Sequence, residues 1–215
     1  MNAKPNFDRI AKPYRWMEWL SFGPLLHRAR TAWLEDLSHA RSALVLGDGD
    51  GRFTRDLLAF NPQVHAHAVD LSAGMLAQLR LRCAPYADRV RTTHCDAMEF
   101  VPDTRYDLVT THFFLDCLTR QQVEQLIRTL LPALTTDAMW LVSDFDIPQQ
   151  GVGRPVAAAL VPSLYAAFRV MTGLRTRQIP DYATALQQAG FDLMQRREIF
   201  AGLILSSEYK RTRKA

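Results

Sequence analysis

The chain has 215 residues, 48% of them hydrophobic, and its Lys and Arg outnumber Asp and Glu by 26 to 22, for a net charge of +4. That much apolar material excludes wholesale disorder and suits one α/β domain with room for a small cap. The 3 cysteines form no CxxC pair, no apolar run approaches a membrane span, and the N-terminus lacks a signal-like core. A disulfide framework is therefore not expected, and a soluble cytoplasmic protein is.

The first forty residues are rich in large amphipathic side chains, among them Phe7, Tyr14, Trp16, Trp19, Phe22 and Trp33. Pro24 opens a predicted helix whose apolar stripe is Leu26, Ala29, Trp33 and Leu37. Residues 43–46 read as a first strand, and it runs into Gly47-Asp48-Gly49-Asp50-Gly51. A helix follows at once, burying Phe53, Leu57 and Leu58 and closing at Asn61-Pro62. Alternating glycines after a strand allow a tight turn and let a ligand approach the main chain without a Cβ in the way.

A second strand is predicted over 64–70 and ends in Asp70, nineteen residues beyond Gly51. An acid there can accept hydrogen bonds from a ribose hydroxyl pair, so the pattern points to a nucleoside-containing cofactor. Met75, Leu76 and Leu79 mark the next helix, with Ser72 as its cap. Residues 90–94 form a short third strand, and Tyr106–Thr111 a fourth, rich in β-branched side chains. A helix follows with Val123, Leu126, Ile127, Leu130, Leu131 and Leu134 on one face, then a fifth strand over Met139–Asp146. Strands alternating with amphipathic helices imply an α/β fold with a mainly parallel sheet and helices on both sides.

After Pro148 the pattern changes. Residues 155–171 carry apolar side chains at helical spacing, interrupted by Pro162. Pro180-Asp181 starts another helix, which Gly190 ends. Phe191–Ile199 and Gly202–Tyr209 then read as an antiparallel hairpin at the sheet edge. The basic run Lys210–Lys214 reads as a solvated tail.

A dinucleotide fingerprint would need a third glycine or alanine two residues after its second glycine. In the two possible registers that place holds Arg52 or Thr54. Neither fits NAD.

Taken together, the chain resembles the class I S-adenosylmethionine-dependent methyltransferases of small-molecule type. The resemblance runs from about residue 40 to 209. It is carried by the GxGxG loop at 47–51, Asp70, Cys95-Asp96-Ala97-Met98, Asp107-Leu108-Val109 and the closing hairpin. It implies a Rossmann-like seven-stranded sheet whose last strand is antiparallel. The expected organisation is a single domain over 1–215: an N-terminal helical lid to 39, a cofactor-binding core over 40–150, a helical acceptor-side insertion over 151–189, the hairpin over 190–209 and the tail.

The resemblance further implies S-adenosylmethionine as cofactor, held by Gly47, Gly49 and Gly51, with Asp70 and Leu71 at the ribose. Met75 would lie by the adenine face, Asp96 and the Ala97 amide at its edge, and Thr111 and His112 by the methionine portion. Many members carry an acid two residues before the first glycine, where this chain has Val45. Asp48 is the candidate to take over contact with the methionine amino group, the alternative being a turn aspartate bonded to local amides.

After the fourth strand comes Thr111-His112-Phe113-Phe114-Leu115-Asp116-Cys117. It lacks the proline motif of methyltransferases acting on amino groups of bases. In plant-type O-methyltransferases the catalytic histidine falls at the place of Asp116. Asp116 is thus the first candidate for an acceptor-side base and His112 the second. The alternatives are a helix cap or an Arg120 pair for Asp116, and a satisfied strand-end histidine for His112. Tyr14, Trp16, Phe114, Tyr165 and Arg169 are expected to line the acceptor pocket. The expected function is methyl transfer to a small organic molecule, at oxygen, by a monomer or weak homodimer without metal, membrane or nucleic-acid partner. The rivals are an RNA or protein methyltransferase docking through the basic tail, and a non-catalytic cofactor-binding module.

Overall fold

The computed structural model describes residues 23–146 and 180–212. Helix α1 (Gly23–Arg30) is followed by a 3-10 turn (Leu34–His39) and strand β1 (Ser42–Leu46). The predicted stripe is buried throughout, with Leu26, Ala29, Trp33 and Leu37 each at most 5% exposed. The single helix expected there is two pieces, because the hydrogen bonding tightens to i→i+3 spacing at Ala32, whose amide donates to the Ala29 carbonyl.

The repeating unit continues as α2 (Arg52–Phe60), β2 (His65–Asp70), α3 (Ala73–Arg82), β3 (Val90–His94) and β4 (Tyr106–His112). Then come α4 (Arg120–Leu130), β5 (Leu134–Phe145), α5 (Tyr182–Gln188), β6 (Phe191–Ile199) and β7 (Ile204–Arg211). The seven strands lie in the order β3-β2-β1-β4-β5-β7-β6. β1 to β5 are parallel, and β7 runs antiparallel between β5 and β6. This is the α/β sheet expected from the sequence, with its closing hairpin.

β1 is buried on both faces, as a central parallel strand must be. Its alternate residues enter different cores. Leu44 and Leu46 join Val109, Trp140 and the inner faces of α4 and α5. Ala43 and Val45 join Phe53, Leu57 and Trp33 on the other side. Asp107 accepts the Arg41 and Ser42 amides at 2.8 and 3.0 Å, which pins the start of β1 to β4.

Two boundaries differ from expectation. β5 begins at Leu134, which the helical periodicity had placed on the preceding helix. Pro132 helps end that helix, and Leu134 pairs with Tyr106 across a register shift in the ladder. Lys210 and Arg211 belong to β7 rather than to a solvated tail, and the Arg211 guanidinium donates to the carbonyls of Leu131, Leu134 and Thr135. Among the candidates, Tyr14, Trp16, Tyr165 and Arg169 lie outside the described residues, as does the predicted helix over 155–171. No helix among the described residues is long and apolar enough to cross a membrane, and no group of three metal-ligating side chains occurs among them.

Candidate active site

The carboxyl ends of the parallel strands bring together the loops after β1, β2, β3 and β4. In open sheets of this kind the ligand crevice lies where the strand order reverses, here between β1 and β4. The loop after β1 is held to β2 by the Gly47 amide, which donates to Val69 at 3.0 Å. Its three glycines all have positive φ, at 68°, 61° and 80°.

The space beside each glycine differs. A Cβ on Gly47 would meet the Phe114 ring at 2.4 Å, and one on Gly51 would meet the Leu79 backbone at 2.9 Å. At Gly49 the only neighbour among the described residues is the Met75 sulfur at 3.8 Å. Among the described residues, Gly49 alone of the three leaves open space where a Cβ would stand. The other two admit the protein's own packing, the ring of Phe114 and the helix α3.

Asp48 and Asp50 are both engaged within the protein. Asp48 is buried beneath the start of α2, where its carboxylate accepts the Phe53 amide at 3.3 Å and the Thr54 amide and hydroxyl at 2.9 and 2.7 Å. Gly51, the N-cap residue, has no side chain to offer, and Asp48 supplies the acceptor instead. Burial raises the Asp48 pKa to about 6, against the pull of the Thr54 hydrogen bonds and the Arg30 charge. Asp50 pairs with Arg82 at 2.7 Å and Arg52 at 3.3 Å. These are the local-amide contacts of the alternative reading of Asp48.

Asp70, half-buried at the end of β2, accepts the Ser72 amide at 2.8 Å. Ser72 caps α3 by accepting from Met75, so Asp70 is not needed as the cap. The Cys95 amide donates to the Asp70 carbonyl at 3.2 Å and sets the two strand ends side by side. Asp96 accepts the Met98 amide at 2.9 Å, and Ala97 is buried behind it. Asp70 and Leu71 thus lie at the end of β2, Met75 in the first turn of α3, and Asp96 and Ala97 in the loop after the neighbouring β3.

β4 divides its candidates between the two faces of the sheet. Thr111 lies in the interior: its hydroxyl accepts from Trp140 at 3.0 Å and donates to the Leu141 carbonyl at 3.3 Å. Both hydrogen-bonding roles of the hydroxyl are thus taken by the core. His112 belongs to a buried row across β4, β5 and β7. Its Nδ1 lies 2.9 Å from Ser143 Oγ, itself 3.0 Å from Ser206 Oγ, and both hydroxyls donate to the Ala29 carbonyl of α1. Burial, reinforced by the Arg30 charge, lowers the His112 pKa to about 3, which keeps it neutral.

Asp116 is buried in a 3-10 turn (Leu115–Cys117) after β4. Thr119 and Gln122 form the capping box of α4, and Arg120 pairs with Glu124 at 3.0 Å. Its neighbour is Asp144 near the end of β5, fully buried, whose Oδ1 accepts the Phe114 amide at 3.1 Å. Burial and the nearby Asp116 charge push the Asp144 carboxyl well above the ordinary range, against the pull of the Phe114, Asp116 and Leu115 amides. Asp144 Oδ2 has no hydrogen-bond partner among the described residues. Ser143 and Asp144 are consecutive in a strand and face opposite ways, so the structure groups Asp116 with Asp144 and not with His112.

Residues 43–137 match the methyltransferase domain family. The fold agrees: mitomycin 7-O-methyltransferase superposes with a TM-score of 0.73 at 20% identity, covering 96% of this chain and 61% of that one. The chain shares the Rossmann-like fold of that methyltransferase. A second likeness is to 1,6-didemethyltoxoflavin-N1-methyltransferase of Burkholderia thailandensis, determined with S-adenosylhomocysteine (TM-score 0.71, 18% identity, 96% of this chain and 86% of that one). A curated relative, polyamine aminopropyltransferase 2 of Bacillus anthracis, is 28% identical over 114 residues, which are 47% of this chain and 32% of the relative. The chain thus spans about a third of that relative and three fifths of the first structural one.

The nearness of Asp144 to Asp116 could not be read from the sequence, because it is set by the β4–β5 register.

Proposed function

We propose that this methyltransferase domain transfers a methyl group from S-adenosylmethionine to a small organic acceptor, at oxygen. The cofactor reading is supported by the open side of Gly49, in a loop bonded to the strand that ends in Asp70. Bound S-adenosylmethionine supplies a methyl group activated on a sulfonium sulfur. Asp70 and Leu71 take the ribose end, Met75, Asp96 and the Ala97 amide take the adenine, and the loop of Gly47, Gly49 and Gly51 carries the rest. Asp48 contributes by fixing that loop through Phe53 and Thr54. Phe114 closes the crevice over Gly47 and helps exclude water.

The oxygen reading rests on the buried carboxyl pair Asp116 and Asp144. Two acids crowded together out of water hold a proton tightly, which makes the pair a better proton acceptor near neutral pH than an exposed carboxylate. An acceptor hydroxyl gives up its proton to this pair, led by Asp116. His112, held neutral and facing α1, is the weaker candidate. Tyr14, Trp16, Tyr165 and Arg169 remain acceptor-side candidates on sequence grounds.

The test is formation of S-adenosylhomocysteine with panels of phenols, hydroxy acids and amines, with products identified by mass spectrometry. Asp116→Asn and Asp144→Asn are each expected to lower kcat toward hydroxyl acceptors about a hundredfold while leaving S-adenosylhomocysteine affinity within twofold. Methylation confined to amines, with both variants fully active, would overturn the oxygen assignment.

A further inference from the structure

We propose that Tyr182 donates a hydrogen bond to the acceptor oxygen and thereby selects hydroxyl acceptors over amines, an assignment that rests on the oxygen reading above and extends it. Tyr182 opens α5, whose N-cap Asp181 accepts the Thr184 amide at 3.1 Å and lies 3.9 Å from the Arg120 guanidinium. Arg120 begins α4, just after the turn that carries Asp116. The start of α5 is therefore moored next to that turn. The sheet agrees. Asp144 lies on the same face of β5 as Trp140 and Val142, because alternate side chains of a strand share a face. Those two belong to the core that also holds Leu115, Tyr209 and Tyr182. Tyr182 thus covers the face of the sheet from which the Asp144 carboxyl projects.

The two polar groups meet there without bonding. Asp144 is fully buried, and its Oδ1 accepts the Phe114 amide at 3.1 Å. Oδ2 has no hydrogen-bond partner, so the Tyr182 hydroxyl stops short of it. A buried carboxyl oxygen left unbonded is costly, and it marks a place where a polar group belongs. Burial, and after it the Asp144 charge, raises the Tyr182 pKa above its ordinary value. The phenol therefore keeps its proton and remains a donor at neutral pH.

An acceptor hydroxyl between the two groups uses both. Its proton points to the carboxyl pair, and one oxygen lone pair accepts from Tyr182. The second lone pair stays free for the methyl group. As the O–CH3 bond forms, the C–S bond breaks with its electrons going to sulfur, and the hydroxyl proton passes to the carboxyl pair. Tyr182 keeps its own proton throughout. A neutral amine has a single lone pair, which the Tyr182 bond would occupy, and an ammonium has none. To react, nitrogen must forgo that bond and leave the phenol unpaired, which is how a buried polar group discriminates against an analogue.

Acceptors that differ in one heavy atom test the assignment: phenols against the corresponding anilines, and hydroxy acids against the corresponding amino acids. Products are identified by mass spectrometry. On wild type, kcat/KM should favour the hydroxyl member of a pair by about a hundredfold. Tyr182→Phe should lower kcat/KM for the hydroxyl member about tenfold to a hundredfold and leave the amine member within about threefold. Its affinity for S-adenosylhomocysteine, read by calorimetry, should stay within about twofold. Equal losses for both members, or a selectivity unchanged from wild type, would assign Tyr182 to packing and overturn the proposal. So would equal turnover of the two members by wild type, a result that does not depend on the variant folding. Methylation of amines alone by wild type would instead show that the oxygen reading itself had failed, and the Tyr182 assignment with it.

Discussion

Asp48 carries a carboxylate into the interior to serve the first turn of α2. Its folded-state pKa of about 6 lies above the ordinary 3.8, so the folded protein binds this proton more tightly than the unfolded chain. The sign follows directly. The stability that Asp48 contributes is full below 3.8, declines as pH rises through 6, and is level above that, for a total of about 3 kcal/mol. His112 acts the other way, since its pKa of about 3 lies below the ordinary 6.5, and its contribution is lost as pH falls from 6.5 toward 3. Between about 4 and 6 the two slopes oppose. Asp48→Asn keeps an acceptor for the amides and removes one slope. In denaturant unfolding across that range its stability relative to wild type should rise with pH, and parallel curves would refute the buried ionisation. The sequence pointed to this aspartate but left two roles open, because the direction of a turn side chain is decided by tertiary packing around α2.

At the scale of elements, most boundaries were legible because the apolar periodicity switches cleanly between strand and helix. β3 was read to the residue, and β1, β2 and β4 to within one. The start of β5 was not, since Leu134 fits both a helical face and the ladder opposite Tyr106. The joint of α2 and α3 yields a prediction that separates packing from binding. Gly51→Ala puts a Cβ 2.9 Å from the Leu79 backbone at a positive φ and should cost about 3 kcal/mol or more in chemical denaturation. Gly49→Ala meets, among the described residues, only the Met75 sulfur at 3.8 Å and should cost about 1 kcal/mol. Its larger effect should fall on cofactor affinity, because the new methyl fills the open side of the loop. Equal destabilisation by the two changes would contradict this division of labour.

For the whole molecule, the order of glycine loop, strand-end acid and closing hairpin was enough to read the fold from the sequence. The site was legible in part. Asp70, Met75 and Asp96 follow motifs local to one strand end. The nearness of Asp116 and Asp144 depends on a strand register that joins positions far apart in the chain. The basic C-terminal run illustrates the same limit, since Arg211 spends its charge on the carbonyls after α4. Deleting it to probe nucleic-acid binding would remove part of β7, so salt-dependent RNA binding is better measured on the intact chain.

The central claim is that the crevice at the reversal of strand order holds an adenosyl amino acid. Calorimetric titration of the intact chain with S-adenosylhomocysteine, alongside NAD and an Asp70→Ala variant, tests it most directly. The account predicts one-to-one binding of S-adenosylhomocysteine, weakened at least tenfold or so by Asp70→Ala, and no binding of NAD. Binding of NAD in its place, or S-adenosylhomocysteine affinity indifferent to Asp70, would contradict it.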